Sequence, residues 1–555
     1  MVAPSSTKVP VSSGSSFTAQ KLTPEFLRLE QSIRALSTAV NIIQGQCQSP
    51  ASDSHELAVT DKERARVFSH LATLLTTGSP LGRQTIAVTG GSSPRGFYIN
   101  ATDVVVKNES DPRDNEPAVV KLNAILPSRK TLKQLAEDRR RVTLIEHAAD
   151  LFQALRLASQ NLYNGDQRLL ECFIVRRCHQ EITRRLTSAV ELLDPPLHDV
   201  LTKWELQCGD EIHEEWLMNP FPLILIRSSF IPHRRAIRWP NQVELLFSRD
   251  TFTPWKNFFV SLIKVVVSTV TNLRPERRGS SAMDAVLSLH FLRLFLSFGP
   301  ARTILNLPSL KSKLEILLPR HHGVRDKCVT QVILQRWTAV VAYDAAASSL
   351  TARHCTVASI LRQSLPKVHL IDVSVTSTES NKSMDSIPRI IRSKVMPAIN
   401  LSKDHMRMVE TLIAQHLSVA EFSGAVHCEA HIMGIAYAFC RGGERRDAQA
   451  FLDAFEGHSN TIGVAEQSCQ ICYWLSEELS LPNGEGYFNL QGSHGRTVPW
   501  TPPRFGIPLS VLGKLEVELL ELLKDSTYRW LEEQLKRIPS STKTAGIPNG
   551  RSCTP

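Results

Sequence analysis

Two short segments constrain this chain more than anything else in it: Val426-His427-Cys428-Glu429 and Ser468-Cys469-Gln470-Ile471-Cys472. His427 and Glu429 are separated by one residue where an apolar helical run begins. That run continues to Phe439, and Arg441-Gly442-Gly443 then supplies the glycines that a helix C-terminus favours. Thr461-Ile462-Gly463-Val464 reads as a short buried strand ahead of the second segment, and helical spacing resumes through Leu475 and Leu479. Cys469 and Cys472 stand three positions apart, so at a helix start both thiols face one side. A helix N-terminus favours the thiolate, which is the form that binds metal.

One histidine and two cysteines make three tetrahedral ligands and leave a fourth position for water. That is the open coordination of a catalytic zinc, whereas a structural zinc takes four protein ligands. Zinc lowers the pKa of such a water to roughly 7. Glu429 is not needed as a ligand and is placed to accept the water's proton. Two rival readings stand beside this one. A structural zinc would take Cys428, His431 or Cys440 as its fourth ligand, His431 lying one turn beyond His427. A thiol redox pair of Cys469 and Cys472 gives no reason for His427-x-Glu429.

The rest of the chain sets the scale. At 555 residues it holds two to four ordinary domains, or one with a large insertion, and 42% hydrophobic against 21% charged residues is the balance of a globular protein with a core. The formal charge of +10 tilts the expected partner toward nucleotides or nucleic acid. Eleven cysteines are too sparse and unpatterned for a disulfide framework, and Met1 to Ala19 contains no apolar run of signal-peptide length. Trp255 to Leu273, the most apolar stretch, is interrupted by Lys256, Asn257 and Lys264 and reads as a buried element. The expectation is an intracellular protein without a membrane span.

Along the chain, residues 1–20 read as a disordered tail and 21–80 as helical. Residues 81–115 hold a candidate hairpin, with Ile86-Ala-Val-Thr89 and Gly96-Phe-Tyr-Ile-Asn100 flanking a Gly/Ser/Pro turn. Thr89 to Gly96 lacks the spacing of a nucleotide-binding glycine loop, and no amphipathic helix follows it directly. Residues 116–375 read as a mainly helical insertion or domain, with Leu144, Ala148, Leu151 and Leu155 forming one stripe and strands suggested near Phe221–Ile226 and Val243–Phe247. Residues 376–388 read as a linker, 389–537 as the unit that carries the zinc ligands, and 538–555 as a second tail.

His427-x-Glu429 followed by Cys469-x-x-Cys472 resembles the signature of the cytidine deaminase-like superfamily. Ile462-Gly-Val464, Ser468-Cys469, Gly492-Ser-His-Gly495 and Pro499-Trp500 are similar to the deaminase-like domains of uncharacterised fungal proteins and some bacterial toxins. The resemblance covers about Leu412 to Trp500 and departs at Ser468, where the superfamily usually carries proline. It implies an α/β fold with a three-layer α/β/α deaminase-like sheet, here joined to a large, mainly α-helical region. It implies zinc as cofactor, His427, Cys469 and Cys472 as ligands, and Glu429 as proton shuttle. The reaction would be hydrolytic loss of an amine from a nucleobase in a nucleotide or nucleic acid. The alternative is a non-catalytic scaffold that keeps a zinc-stabilised deaminase fold.

Three more residues follow from the resemblance. A deaminase sheet begins with a hairpin, and the sequence just before His427 leaves little room for one. The hairpin at 86–100 is therefore expected to pair beside Ile462–Val464 across the insertion, which makes Asn100 a candidate sugar contact. Strands of this fold end at the pocket, so His494 is a candidate substrate contact or a loop histidine without a role. Trp500 is a candidate stacking surface for a base or a core tryptophan. Basic residues at Arg176-Arg177, Arg184-Arg185 and His233 to Trp239 suit a nucleic-acid backbone. For the first group, the intervening Glu171, Glu181 and Glu191 suit a salt-bridged face equally well.

Overall fold

Ile86 and Val88 alternate with smaller Ala87 and Thr89, the period-two pattern of a strand that buries both faces unequally. In the computed structural model they lie in β2 (Ile86–Ser93), paired antiparallel with β3 (Gly96–Asp103) in a register running from Ile86↔Asp103 to Ser93↔Gly96. The structure describes residues 16–18, 23–46, 59–78, 86–93, 96–103, 119–160, 164–218, 221, 237–238, 244–274, 281–297, 300–318, 328–352, 355–363, 366–374, 386–399, 402–417, 425–441, 460–465, 468–479, 488–490, 493 and 495–537. The second tail, 538–555, lies outside them, as does most of the 376–388 linker.

The free edge of β2 takes β6 (Thr461–Val464) antiparallel, with Ala87↔Val464 and Thr89↔Ile462, and β7 (Asn489–Leu490) lies parallel beyond it. Thr89 Oγ1 donates to Thr461 O at 2.8 Å across a sequence separation of 372 residues. The hairpin thus pairs beside Ile462–Val464, as expected from the sequence. On its other side β3 takes β5 (Lys367–Ser374) in parallel. β4 (Val119–Ile125) is antiparallel to β5, and β1 (Ser16–Thr18) is antiparallel to β4. The order is β1-β4-β5-β3-β2-β6-β7, seven strands in one mixed sheet.

Two boundaries read from the sequence are corrected here. The helical reading of 116–375 fails at both ends, because β4 and β5 extend the sheet outward from β3. The tail reading of 1–20 fails at Ser16–Thr18, which is an edge strand; residues 1–15 and 19–20 lie outside the described residues.

Alternation along the strands separates two apolar layers. Ile86, Val88, Ile99, Ala101, Val368 and Leu370 face one cluster, which contains α2 (Val59–Leu75) and the helical region. Ala87, Ile371, Ile462, Val464 and Leu490 face the other. That layer holds α1 (Pro24–Gln46), α6 (Cys428–Arg441), α7 (Gln470–Glu478) and α8 (Leu509–Arg537). The helical 21–80 segment is therefore not a separate unit: α1 covers one face of the sheet and α2 the other. Arg28–Glu516 and Arg504–Glu30 ion pairs tie α1 to α8 and to the segment before it.

Between β4 and β5 lies the helical region, from Leu132–Glu137 to Thr356–Gln363, with a small sheet of Glu215–Met218, Glu244–Phe247 and Ile237–Arg238. The apolar stretch near Trp255 is the helix Phe252–Asn272. Its Trp255, Phe259, Ile263, Val266 and Val270 recur at helical spacing and are buried, while Lys264 is exposed. Phe259 stacks on Phe295 at 4.8 Å. Among the described residues no single helix is long and apolar enough to cross a membrane.

α3 (Leu144–Gln160) carries a buried histidine into this core. His147 Nε2 donates to Leu74 O at 2.8 Å, joining α3 to the last turn of α2. Burial, opposed by that bond and helped by the Arg177 charge, lowers its pKa from 6.5 to about 4. Between those values the unfolded chain holds a proton that the folded one does not, so stability falls as pH falls through the window, by up to about 3 kcal/mol. Glutamine can also donate to Leu74 O but does not titrate. The melting temperature of His147→Gln is therefore expected to drop less between about pH 7 and pH 5 than that of the native chain; equal slopes would remove His147 as a cause.

Candidate metal centre

The two helix starts are held by strand-like bridges to the segment that follows β7. Ser468 bridges Ser493 in parallel, Gln470 N donates to Arg496 O at 3.0 Å, and Cys469 caps α7, its Sγ accepting from Cys472 N at 3.4 Å. Ala425 bridges Trp500 in parallel and Thr501 N donates to Ala425 O at 3.1 Å, which sets His427 at the mouth of α6. His431 N then donates to His427 O at 3.1 Å to begin the helix. Both helices lie on the same face of the sheet.

The side chains converge. His427 Nδ1 lies 3.3 Å from Cys469 Sγ and 3.4 Å from Cys472 Sγ, and one ligand atom from each of the three residues lies within 4.8 Å of the others. Zinc with bonds of about 2.1 Å to nitrogen and about 2.3 Å to sulfur spaces a tetrahedral N···S edge at about 3.6 Å. The His/Cys/Cys group is therefore close enough to bind a metal ion without rearrangement of its helices. Cys469 and Cys472 are buried, while the His427 side chain keeps 18% exposure.

Charge in the cluster singles out one thiolate. Burial works to raise the Cys469 thiol, but the Cys472 thiol, the His427 charge and hydrogen bond, and the Cys472 N–H hold it well below the ordinary thiol range. Burial and the neighbouring Cys469 and Glu429 push the Cys472 thiol well up. Burial pulls His427 down, but Cys469 and Glu429 carry it up to about 9. The Cys469 thiolate and the His427 imidazolium thus answer each other's charge, and a metal ion held by the three side chains would displace the imidazolium and Cys472 protons.

Glu429 is buried with Oε1 3.8 Å from His427 Nδ1, and Cys428 Sγ donates to Oε2 at 3.3 Å. Cys428 therefore faces the carboxylate and is not one of the three clustered ligands. Its place as a partner of Glu429 is a role the sequence pattern did not signal beyond adjacency. His431 is also outside the cluster: it is buried, burial and the His427 charge lower its pKa to about 3, and its Nδ1 finds no partner among the described residues. The side chain of Cys440 lies outside the described residues.

The remaining candidates are placed unequally. Asn100 is buried on β3, in register with Thr89 and His369. Ile99 and Ala101 face the α2 layer, so Asn100 occupies the face that carries α6 and α7. His494 lies outside the described residues. Its neighbours Ser493 and Gly495 run beside Ser468, with Gly495 N donating to Ser493 Oγ at 3.1 Å and Gly495 at φ 71°. Trp500 is fully buried and offers no exposed ring face for stacking; its backbone N–H donates to Ser37 Oγ of α1 at 3.0 Å. That candidate role is replaced by a packing one, which anchors the bridge to Ala425.

The basic groups also divide. Arg184 and Arg185 both bind Glu181, and Arg185 lies over the Tyr343 ring, so that pair is a salt-bridged face. Of His233 to Trp239 only Ile237–Arg238 falls among the described residues. Compared with protein-family models, with curated proteins and with solved structures, the chain matches none.

Proposed function

We propose that the chain is a zinc-dependent hydrolytic deaminase acting on a nucleobase of a nucleotide or nucleic acid. The observation that carries this reading is the convergence of His427, Cys469 and Cys472 with the Glu429 carboxylate 3.8 Å from the same ring nitrogen. A structural site has no use for that carboxylate. The order of parts supports it too: a hairpin at 86–103, the His427 helix, the β6 strand, then the Cys469 helix, which is the order expected of a deaminase-like three-layer fold.

His427, Cys469 and Cys472 would hold the ion, and the donor set fits zinc in both softness and number. Zinc in that position supplies Lewis acidity, which makes water a nucleophile near neutral pH. Glu429 carries one proton of the attacking water to the ring nitrogen and the second to the exocyclic amine. The amine leaves as ammonia, and the ring carbon keeps the oxygen as a carbonyl. Cys428 Sγ donates to Glu429 Oε2 and helps to position the carboxylate. Asn100 on the same face of the sheet suits a sugar hydroxyl.

The test is the purified full chain given zinc and a panel of cytosine and adenine compounds, from free bases to single-stranded oligonucleotides. One zinc per chain and ammonia from at least one member are expected. Full zinc loading with no ammonia from any member would favour the scaffold reading. No zinc, with a reversible disulfide, would favour redox chemistry. Chelation is expected to lower the melting temperature, because an ion at about 1,000 times its Kd stabilises by about 4 kcal/mol. Cys469→Ser should abolish that zinc dependence.

A further inference from the structure

Across the sheet from the metal centre, four chain segments border a half-open cavity of about 430 Å³, within the roughly 300–1,000 Å³ typical of ligand sites. Its walls are the end of α2 at Thr77 and Gly78, the link before α3, the junction of α4 (Asn164–Arg177) with α5 (His179–Val190), and Leu273-Arg274. Six arginines line it, Arg139, Arg140, Arg141, Arg176, Arg177 and Arg274, against one acidic residue, Asp138.

That single acid is already committed. Asp138 binds Arg140 at 3.0 Å, Lys130 at 2.9 Å and Arg177 at 3.1 Å, and Arg177 also binds buried Asp150 at 2.9 Å. Arg177 is therefore scaffold, buried and held from behind. Arg139 and Arg176 differ. Arg139 makes no ion pair among the described residues. Arg176 has Nε and Nη1 removed from solvent and no acceptor within hydrogen-bond distance of them among those residues. Burial first, and then the Arg139 charge beside it, lower the pKa of Arg176. Arg139 and Arg176 are like charges beside one cavity, answered in part by Glu137, and they cost stability unless a further anion joins them.

We propose that this cavity is a binding site for a small polyphosphate, such as the diphosphate or triphosphate of a nucleotide-sized ligand, gripped by Arg139 and Arg176. Planar guanidinium forks match phosphate oxygens two at a time. Gln180 and Thr183 add neutral polar groups to the same wall. The cations gather around one hollow rather than along a stripe, which favours a compact anion over a nucleic-acid backbone, and the next arginine pair along α5 is spent on Glu181. The site does not depend on the metal centre or on the deaminase reading.

Calorimetric titration of the full chain with inorganic tripolyphosphate at low salt tests it. Saturable one-to-one binding is expected, weakened about tenfold or more by Arg139→Ser and again by Arg176→Gln. Arg407→Ser, far along the chain at an 83% exposed side chain, should leave it unchanged. Melting of the unliganded variants should be equal to or above native, since each removes a repulsion without touching Asp138 or Asp150. If Arg176→Gln does not fold, Arg139→Ser and Arg274→Ser carry the comparison. Absence of heat at about millimolar tripolyphosphate, or equal affinity in the cavity variants and the native chain, would overturn the proposal. So would a single-stranded oligonucleotide that binds more tightly than tripolyphosphate and is lost with the same substitutions.

Discussion

Glu429→Gln is expected to keep one zinc per chain and to lower kcat for ammonia release by about 10²- to 10⁴-fold, the usual worth of a positioned general acid–base. Glutamine has the size of glutamate, and its amide oxygen can still accept from Cys428 Sγ, which sits 3.3 Å from Oε2. It cannot take a proton from water. The ligands His427, Cys469 and Cys472 are untouched, so metal content by mass spectrometry and the melting temperature of the zinc-loaded chain should match the native protein. Because water and substrate still bind, KM should change much less than kcat. Turnover at the native rate would exclude Glu429 from the chemistry. Loss of zinc in this variant would make Glu429 a ligand and remove the division of roles proposed for the site.

The site was legible because its information is local. Within each half of the site, the helix start and the spacing of His427 with Glu429 or of Cys469 with Cys472 fall within a few residues, and physics at that range survives without tertiary context, although the two halves lie 42 residues apart. The hairpin at 86–103 was legible for a second reason. Its period-two texture is short, and its absence just before His427 demanded a donor from elsewhere. β4 and β5 escaped. Val368, Leu370 and Ile371 of β5 are buried on its two faces, and a short apolar run of that kind reads equally as the end of a helix. Ser16–Thr18 becomes a strand only because β4 offers an edge, a fact stored about a hundred residues away. Trp500 illustrates the opposite limit. Its neighbour Pro499 fixes the backbone locally, but whether the ring meets solvent depends on the distant apolar layer, α1 included, in which it is buried. Nor does a count of Arg176 and Arg177 in sequence distinguish the one held by Asp138 and Asp150 from the one turned into a cavity.

A second large effect is expected at Gly463, in the strand that leads to Cys469. Ile462 and Val464 point toward α6 and α7, so position 463 points at α2. A Cβ there would stand 2.2 Å from Ser69 N and 2.3 Å from Phe68 C, atoms of the α2 backbone. No side chain can swing aside to admit it, so either α2 or β6 must move as a whole. Overpacking a core costs about 1–3 kcal/mol when side chains can adjust. With backbone on both sides, Gly463→Ala should reach at least the top of that range, and Gly463→Val should exceed it. Gly513→Ala is the matched control. It lies within α8 with nothing inside 4 Å of the added carbon, and exchanging helical glycine for alanine stabilises by about 0.5–1 kcal/mol. Thermal melts of the zinc-free chain should therefore shift in opposite directions for the same chemical change. Zinc affinity should fall in the Gly463 variants alone, because β6 delivers Cys469 to the metal site and a displaced strand carries its ligands with it. Equal melting temperatures for Gly463→Ala and Gly513→Ala would mean that α2 does not rest on this strand, and that the sheet beneath the metal centre is packed otherwise.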